Sequence, residues 1–212
     1  MKKVVLLFIL FVFSLSQADA QEFHFIPRIG LNLANTYPES FADMRPGLNI
    51  GVAEEIRFSK LFALEPGVYY SMQGYQKENA KGETARLKAD YLNIPIYAKF
   101  YLYRGFHLIA GTQVGFNVRA KASKYIFVSG PTPVHQSEYD FSGDKKEEIR
   151  NCDFSVSMGL GYTFDMGLVI SANYNLGCTH FFKEPEYSFG GSNHFRGKDH
   201  NGVIQFNLGW RF

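Results

Sequence analysis

The last residues of the chain, Asn201 to Phe212, alternate without a break. Ile204, Phe206, Leu208, Trp210 and Phe212 fall on one parity, and Val203, Gln205, Asn207, Gly209 and Arg211 on the other. Successive side chains of a β-strand point to opposite faces, so this segment is expected to form a strand with one apolar and one polar side. A helix would scatter the same residues around its axis. Any fold for this chain must therefore give such strands a place to put their greasy side.

The pattern recurs along the chain, and the reading is of eight strands at about 23–35, 46–58, 62–75, 88–102, 106–120, 152–164, 168–180 and 201–212. In the first, Phe23, Phe25, Ile29, Leu31 and Leu33 oppose His24, Arg28, Gly30 and Asn32. In the fifth, Leu108, Ala110, Val114, Phe116 and Val118 oppose His107, Gly111, Gln113, Asn117 and Arg119. The connections alternate in length. Short ones lie around Ser59-Lys60-Leu61, Tyr103-Arg104-Gly105 and Asp165-Met166-Gly167, and long polar ones at about 36–45, 76–87, 121–151 and 181–200. The second and third short turns place Gly last, where a type I turn followed by a bulge needs positive φ. An even number of strands, with short turns on one side and long loops on the other, is the up-and-down arrangement of a transmembrane β-barrel with periplasmic turns and extracellular loops.

A soluble secreted barrel also has eight alternating strands, but it buries the apolar face and wets the polar one. A water-facing exterior should be dense in Lys and Glu. Here the polar parity is mostly Gly, Asn, Ser, Gln and Tyr, which favours an all-β, eight-stranded antiparallel membrane barrel with its apolar face toward lipid. The small residues leave room in a narrow lumen for Arg28, Arg57, Glu65, Lys99, Arg119 and Arg211, which must pair or stay hydrated there. A lumen filled this way disfavours a pore. Glu54 falls on the apolar parity and requires an interfacial position or a shifted register. Pro27, Pro66 and Pro95 each remove a ladder donor, so bulges or rim positions are expected at them.

The N-terminus reads differently. Lys2 and Lys3 precede the apolar run Val4 to Phe13, and Ala18-Asp19-Ala20 follows. That is the pattern of a secretory signal peptide, residues 1–20, cleaved after Ala20 to leave a barrel domain at 21–212. Without Lys2, Lys3 and Asp19 the 22 basic and 20 acidic residues become 20 and 19, a balance that gives no hint of nucleic acid as a partner.

Three stretches carry a family likeness: Pro27-Arg28-Ile29-Gly30-Leu31-Asn32, Leu64 to Tyr75, and Asp90 to Phe100 with its Asn93-Ile94-Pro95-Ile96-Tyr97 centre. Gly111 to Gly115 and the final Trp210-Arg211-Phe212 fit as well. On these the mature chain resembles the outer-membrane β-barrel domain family of the Bacteroidetes, the PorT-like barrels. The resemblance implies the fold and an outer-membrane location. It supplies no catalytic motif, and one branch of the family is implicated in protein export by the type IX secretion system.

Chemistry is sparse, and no catalytic, cofactor or metal site is assigned. The histidines His24, His107, His135, His180, His194 and His200 lack the close spacing of metal ligands. His194, His200, Asp199 and Glu186 share the last loop, where a solvated loop is the plainer reading. Lys145-Lys146-Glu147-Glu148 reads as a solvated loop edge, and Phe127 to Pro133 is apolar enough to meet a partner. If Asp165-Met166-Gly167 is a three-residue loop, Cys152 falls opposite His180 and Cys178 opposite Phe154. The cysteines are then diagonal neighbours about 7–8 Å apart, too far to bridge, and free thiols are expected. A Cys152–His180 pair at the outer rim is an acyl-transfer dyad on paper, with no orienting third group. Three functions stay open: a non-channel barrel whose loops engage envelope or surface proteins, a small-solute pore or ligand carrier, and a lipid-modifying enzyme. Outer-membrane lipids are partners in all three.

Overall fold

The computed structural model describes residues 22–37, 43–78, 84–123, 143–183 and 199–212. The expected signal peptide and Phe127 to Pro133 lie outside them. The described strands are β1 (Glu22–Tyr37), β2 (Asp43–Arg57), β3 (Phe62–Glu78), β4 (Thr84–Tyr103), β5 (Phe106–Ser123), β6 (Gly143–Asp144), β7 (Cys152–Thr163), β8 (Leu168–His180) and β9 (His200–Trp210). All pairings are antiparallel, β5 pairs with β7, and β6 is a two-residue ribbon on β5. Pairing of β4 with β5 and of β1 with β9, from Arg28↔Gly209 to Tyr37↔His200, closes the eight long strands into a barrel. Closure matters because lipid offers no hydrogen bonds to a free edge.

The expected faces are the observed ones. Phe25, Ile29, Leu31, Leu48, Ile50, Phe100, Leu108, Met158, Phe206, Leu208 and Trp210 are exposed on the outside, while Arg28, Asn32, Glu65, Ser71, Asn93, Lys99 and Ser157 are buried within. On β4 the outward apolar file runs from Leu92 to Leu102, ten residue steps or about 33 Å of strand. Tilted by the usual 35–45°, that covers roughly the 25 Å height of a lipid-facing band.

Several boundaries differ from the expectation. The connections expected at 36–45 and 76–87 are strand at both ends, since β1 runs to Tyr37, β2 starts at Asp43, β3 runs to Glu78 and β4 starts at Thr84. Backbone pairing continues past the lipid, where outward side chains are free to be polar and the alternation fades. The second turn is also tighter than expected. Tyr103 pairs with Phe106, leaving Arg104-Gly105 as a two-residue turn, and the positive φ falls on Arg104 (49°) rather than Gly105. Gly105 is needed for space instead, because a Cβ there would collide with the Thr163 carbonyl, whose own N–H bonds to Gly105 O at 2.9 Å. Gly167 does adopt φ 99°, and its N–H donates to Phe164 O as the expected turn requires.

The prolines and Glu54 resolve without register changes around them. Pro95 is buried in mid-strand, neither bulged nor at a rim. The β3–β4 ladder opens locally instead, its pairs passing from Pro66↔Ile96 to Tyr69↔Asn93 in unchanged register. Pro27 sits just beyond the end of the β1–β9 ladder. Glu54 faces outward opposite Phe25, three residues from Arg57 at the strand end. That is about 10 Å of strand from the turn, at the periplasmic interface where a carboxylate is tolerated.

One register change does move a predicted site residue. Between Asp90↔Arg119 and Tyr91↔Asn117 the β4–β5 ladder slips by one residue, so Val118 and Arg119 both face out. Arg119, expected in the lumen, is therefore on the outer surface, and Ala120 and Ala122 take the inward places. Strict alternation cannot see a bulge. Replacing Gly105 by Ala is expected to destabilise the barrel by about 1–3 kcal/mol through overpacking against Thr163, as read from urea unfolding in micelles. A control replacement at exposed Lys60 should leave the midpoint in place.

Candidate functional site

Inside the periplasmic half of the barrel the predicted charges converge on a carboxylate that the sequence reading did not single out. Glu55 Oε2 accepts from Lys99 Nζ at 2.7 Å and from Tyr101 Oη at 2.7 Å. Its Oε1 accepts from Arg57 Nη2 at 3.1 Å and faces Arg211 Nη1 at 3.9 Å. Lys99 also touches Glu65, and Glu65 Oε2 accepts from Arg28 Nη2 at 2.6 Å. Glu55, Glu65, Lys99 and Arg28 are buried and balance two against two. The surplus cations Arg57 and Arg211 keep about a fifth of their side chains exposed (23% and 21%), so water shares the cost of their charge. Arg57 also lies over the Tyr101 ring at 4.3 Å. Glu55 has the same parity as Arg57, which was the signal that could have found it.

This arrangement fills space rather than opening it. A cavity among Arg28, Asn49, Tyr97, Gln113 and Asn207 holds about 10 Å³, room for a single water. Two of its lining residues bond each other, Asn49 Nδ2 to Asn207 Oδ1 (2.8 Å), and Asn32 Nδ2 bonds Ser71 Oγ (2.9 Å) within the lumen. Buried His107 bonds Gly105 O through Nδ1 at 3.0 Å and stacks on Tyr101.

The extracellular end is closed by apolar packing. Ile149 and Phe181 are buried against Leu87, Ala89, Tyr91, Ala120 and Ala122, with Tyr75 and Phe182 alongside. The two connections that supply them are tied together. Arg150 N donates to Phe181 O at 3.0 Å, Lys183 N to Glu148 O at 2.9 Å, and Ile149 bridges Phe182. Lys145 and Glu148, expected on a solvated edge, pair at 2.7 Å in the turn that leads there. Three alanines of the inner wall, Ala89, Ala120 and Ala122, leave room where Ile149 and Phe181 enter.

The sulfur and histidine sites gain no catalytic geometry. The β7–β8 register runs from Thr163↔Val169 to Ser155↔Gly177, the one that a three-residue turn predicts. Both cysteines are free and exposed on the outer face. Among the described residues no hydrogen bond joins Cys152 to His180, whose ring packs at 4.8 Å on His200 instead. His200 Nδ1 lies 3.0 Å from Thr179 O. Glu186 and His194 lie outside the described residues, among which no three His, Cys, Asp or Glu groups gather to hold a metal.

A closed, lipid-faced, eight-stranded up-and-down barrel with a packed lumen defines a small outer-membrane β-barrel protein. Residues 16–193 match the family model of the outer membrane protein beta-barrel domain, and the chain belongs to that family. Its place is the outer membrane. Neisserial surface protein A is similar in fold, with 13% identity and a TM-score of 0.51 over 92% of this chain and all of that one. The attachment invasion locus protein Ail of Yersinia pestis aligns at 13% identity and TM-score 0.47, covering 90% and 99% of the two chains. OprG of Pseudomonas aeruginosa aligns at 12% and 0.40, covering 91% and 97%. No curated protein sequence matches.

Removing Lys99 leaves two carboxylates without their shared cation. Lys99→Met is expected to cost about 3–5 kcal/mol in urea unfolding, with much of the loss recovered when Glu55→Gln is added, which leaves the buried Arg28–Glu65 pair balanced. Maleimide labelling of unreduced, denatured protein is expected to modify both cysteines; an unlabelled chain would instead indicate a bridge.

Proposed function

We propose that this barrel is a non-channel scaffold of the outer membrane whose extracellular face engages other envelope or surface proteins. The carrying observation is the pairing of residues 148–150 with 181–183 over a filled lumen. A packed lumen, topped by the paired segments 148–150 and 181–183, suits recognition, which usually resides on loops positioned by a rigid scaffold. The finer reading, a PorT-like barrel of the Bacteroidetes that is accessory to type IX protein secretion, rests on the sequence resemblance. Export with a signal peptide removed after Ala20 rests on the N-terminal pattern of Lys2, Lys3, the apolar run Val4 to Phe13 and Ala18-Asp19-Ala20. The packed interior speaks against a small-solute pore, and the lack, among the described residues, of a hydrogen bond between Cys152 and His180 speaks against the lipid-modifying enzyme.

The test is crosslinking and co-purification from native membranes, comparing the full chain with one lacking residues 124–142. The deletion spares β6 and the bridge at Ile149, so the barrel is expected to insert normally. A discrete protein partner should be captured by the full chain and lost with the loop; capture of none by either chain would sink the scaffold reading. In planar bilayers the purified barrel is expected to give no stepwise conductance, and regular unitary steps would revive the pore.

A further inference from the structure

The outer surface of the barrel changes character at one place on β4 and β5. Going toward the extracellular end, the outward file of β4 passes from Leu92 to Asp90, Lys88 and Arg86, and that of β5 from Phe116 and Val118 to Arg119 and Lys121. Tyr70, paired with Leu92, marks the boundary. Its ring lies on the lipid side, and its hydroxyl donates upward to Asp90 Oδ2 at 2.9 Å. A tyrosine with an apolar body and a polar tip belongs at a membrane interface. Lys88 is four residues beyond Leu92, about 13 Å of tilted strand, and so stands at the level of lipid headgroups rather than of acyl chains.

Two of the cations there face each other, while Arg119 stands opposite Asp90 and Lys121 also opposite Asp144. Lys88 and Lys121 are directly opposed in the ladder and both exposed. Like charges directly opposite each other destabilise a sheet. Exposed Lys146 joins them from the turn after β6, its Nζ 3.3 Å from Val118 O, over the bulge that turns Arg119 outward. The nearby acids are mostly engaged. Asp90 is buried and holds Tyr70, Glu148 pairs with Lys145, and Asp144 accepts from Lys146 N at 3.0 Å while sharing the row of Lys121. Glu147 is exposed.

We propose that Arg86, Lys88, Arg119, Lys121 and Lys146 form a binding surface for the phosphate groups of outer-leaflet glycolipid. An anionic headgroup between Lys88 and Lys121 relieves their repulsion, and its acyl chains continue down the apolar file below Leu92. The bulge has a purpose in this setting, since without it Arg119 would point into the lumen. The surface faces sideways into the membrane, separate from the loop platform above the lumen, so it stands whether or not that platform binds a protein.

The test uses the full mature chain in detergent micelles with three probes: bisphosphorylated lipid A, the same lipid dephosphorylated, and inorganic phosphate. Native mass spectrometry should show retention of the bisphosphorylated lipid, weakened by added salt. With each lysine near a charged membrane surface contributing on the order of 1 kcal/mol, Lys88→Gln with Lys121→Gln should lower retention roughly thirtyfold. Lys88→Arg with Lys121→Arg should preserve it, and keeps the test informative if the glutamine variant fails to fold. Equal retention of the dephosphorylated lipid, or no change in the glutamine variant, would overturn the proposal. Inorganic phosphate that displaces the lipid at comparable concentration would reassign the surface to free phosphate and likewise overturn it.

Discussion

Everything in this protein depends on the seam between β1 and β9. In hydrocarbon an unpaired backbone N–H or C=O has no water to turn to, so a sheet survives there only if its last strand pairs with its first. The pairs from Arg28↔Gly209 to Tyr37↔His200 complete that circuit. Near the periplasmic end Phe212 N donates to Phe25 O, extending the contact to the last residue. Once the ring is closed the lumen is fixed in size, and the side chains that point inward must fit together.

The inward residues meet that demand in two ways. Toward the periplasm, where the wall carries charges, Glu55 and Glu65 are surrounded by Lys99 and Arg28, with Arg57 and Arg211 reaching water. Toward the outside, where the wall carries alanines, Ile149 and Phe181 enter from the loops and are buried. The first solution is electrostatic and depends on neutralising buried charge. The second is hydrophobic and uses the space above the lipid, where loops can fold back. Together they pack the inward side of the described strands at both ends of the barrel.

Much of this was legible in the residues themselves. Parity along Phe23 to Leu33, Leu108 to Val118 and Ile204 to Phe212 assigned the lipid face correctly, and it would have placed Glu55 beside Arg57 had it been followed one step further. The length of the Asp165-Met166-Gly167 turn gave the β7–β8 register and with it the separation of the cysteines. Parity failed at Arg119, because a bulge reverses the faces without leaving a hydropathy signal. It also faded above the membrane, where β1 to β4 continue as paired strands with polar outward residues.

By itself the sequence determined that the chain forms alternating strands joined by turns on one side, because each strand must show lipid the same apolar face and that demand is written locally, two residues at a time. Only the tertiary structure decided which inward groups meet. Lys99 reaches Glu55 from 44 residues away and Asn207 reaches Asn49 from 158. Those meetings follow from the stagger of a closed ring, in which residues on separate strands come to one height. The stagger is a property of all eight pairings together, and no single segment encodes it.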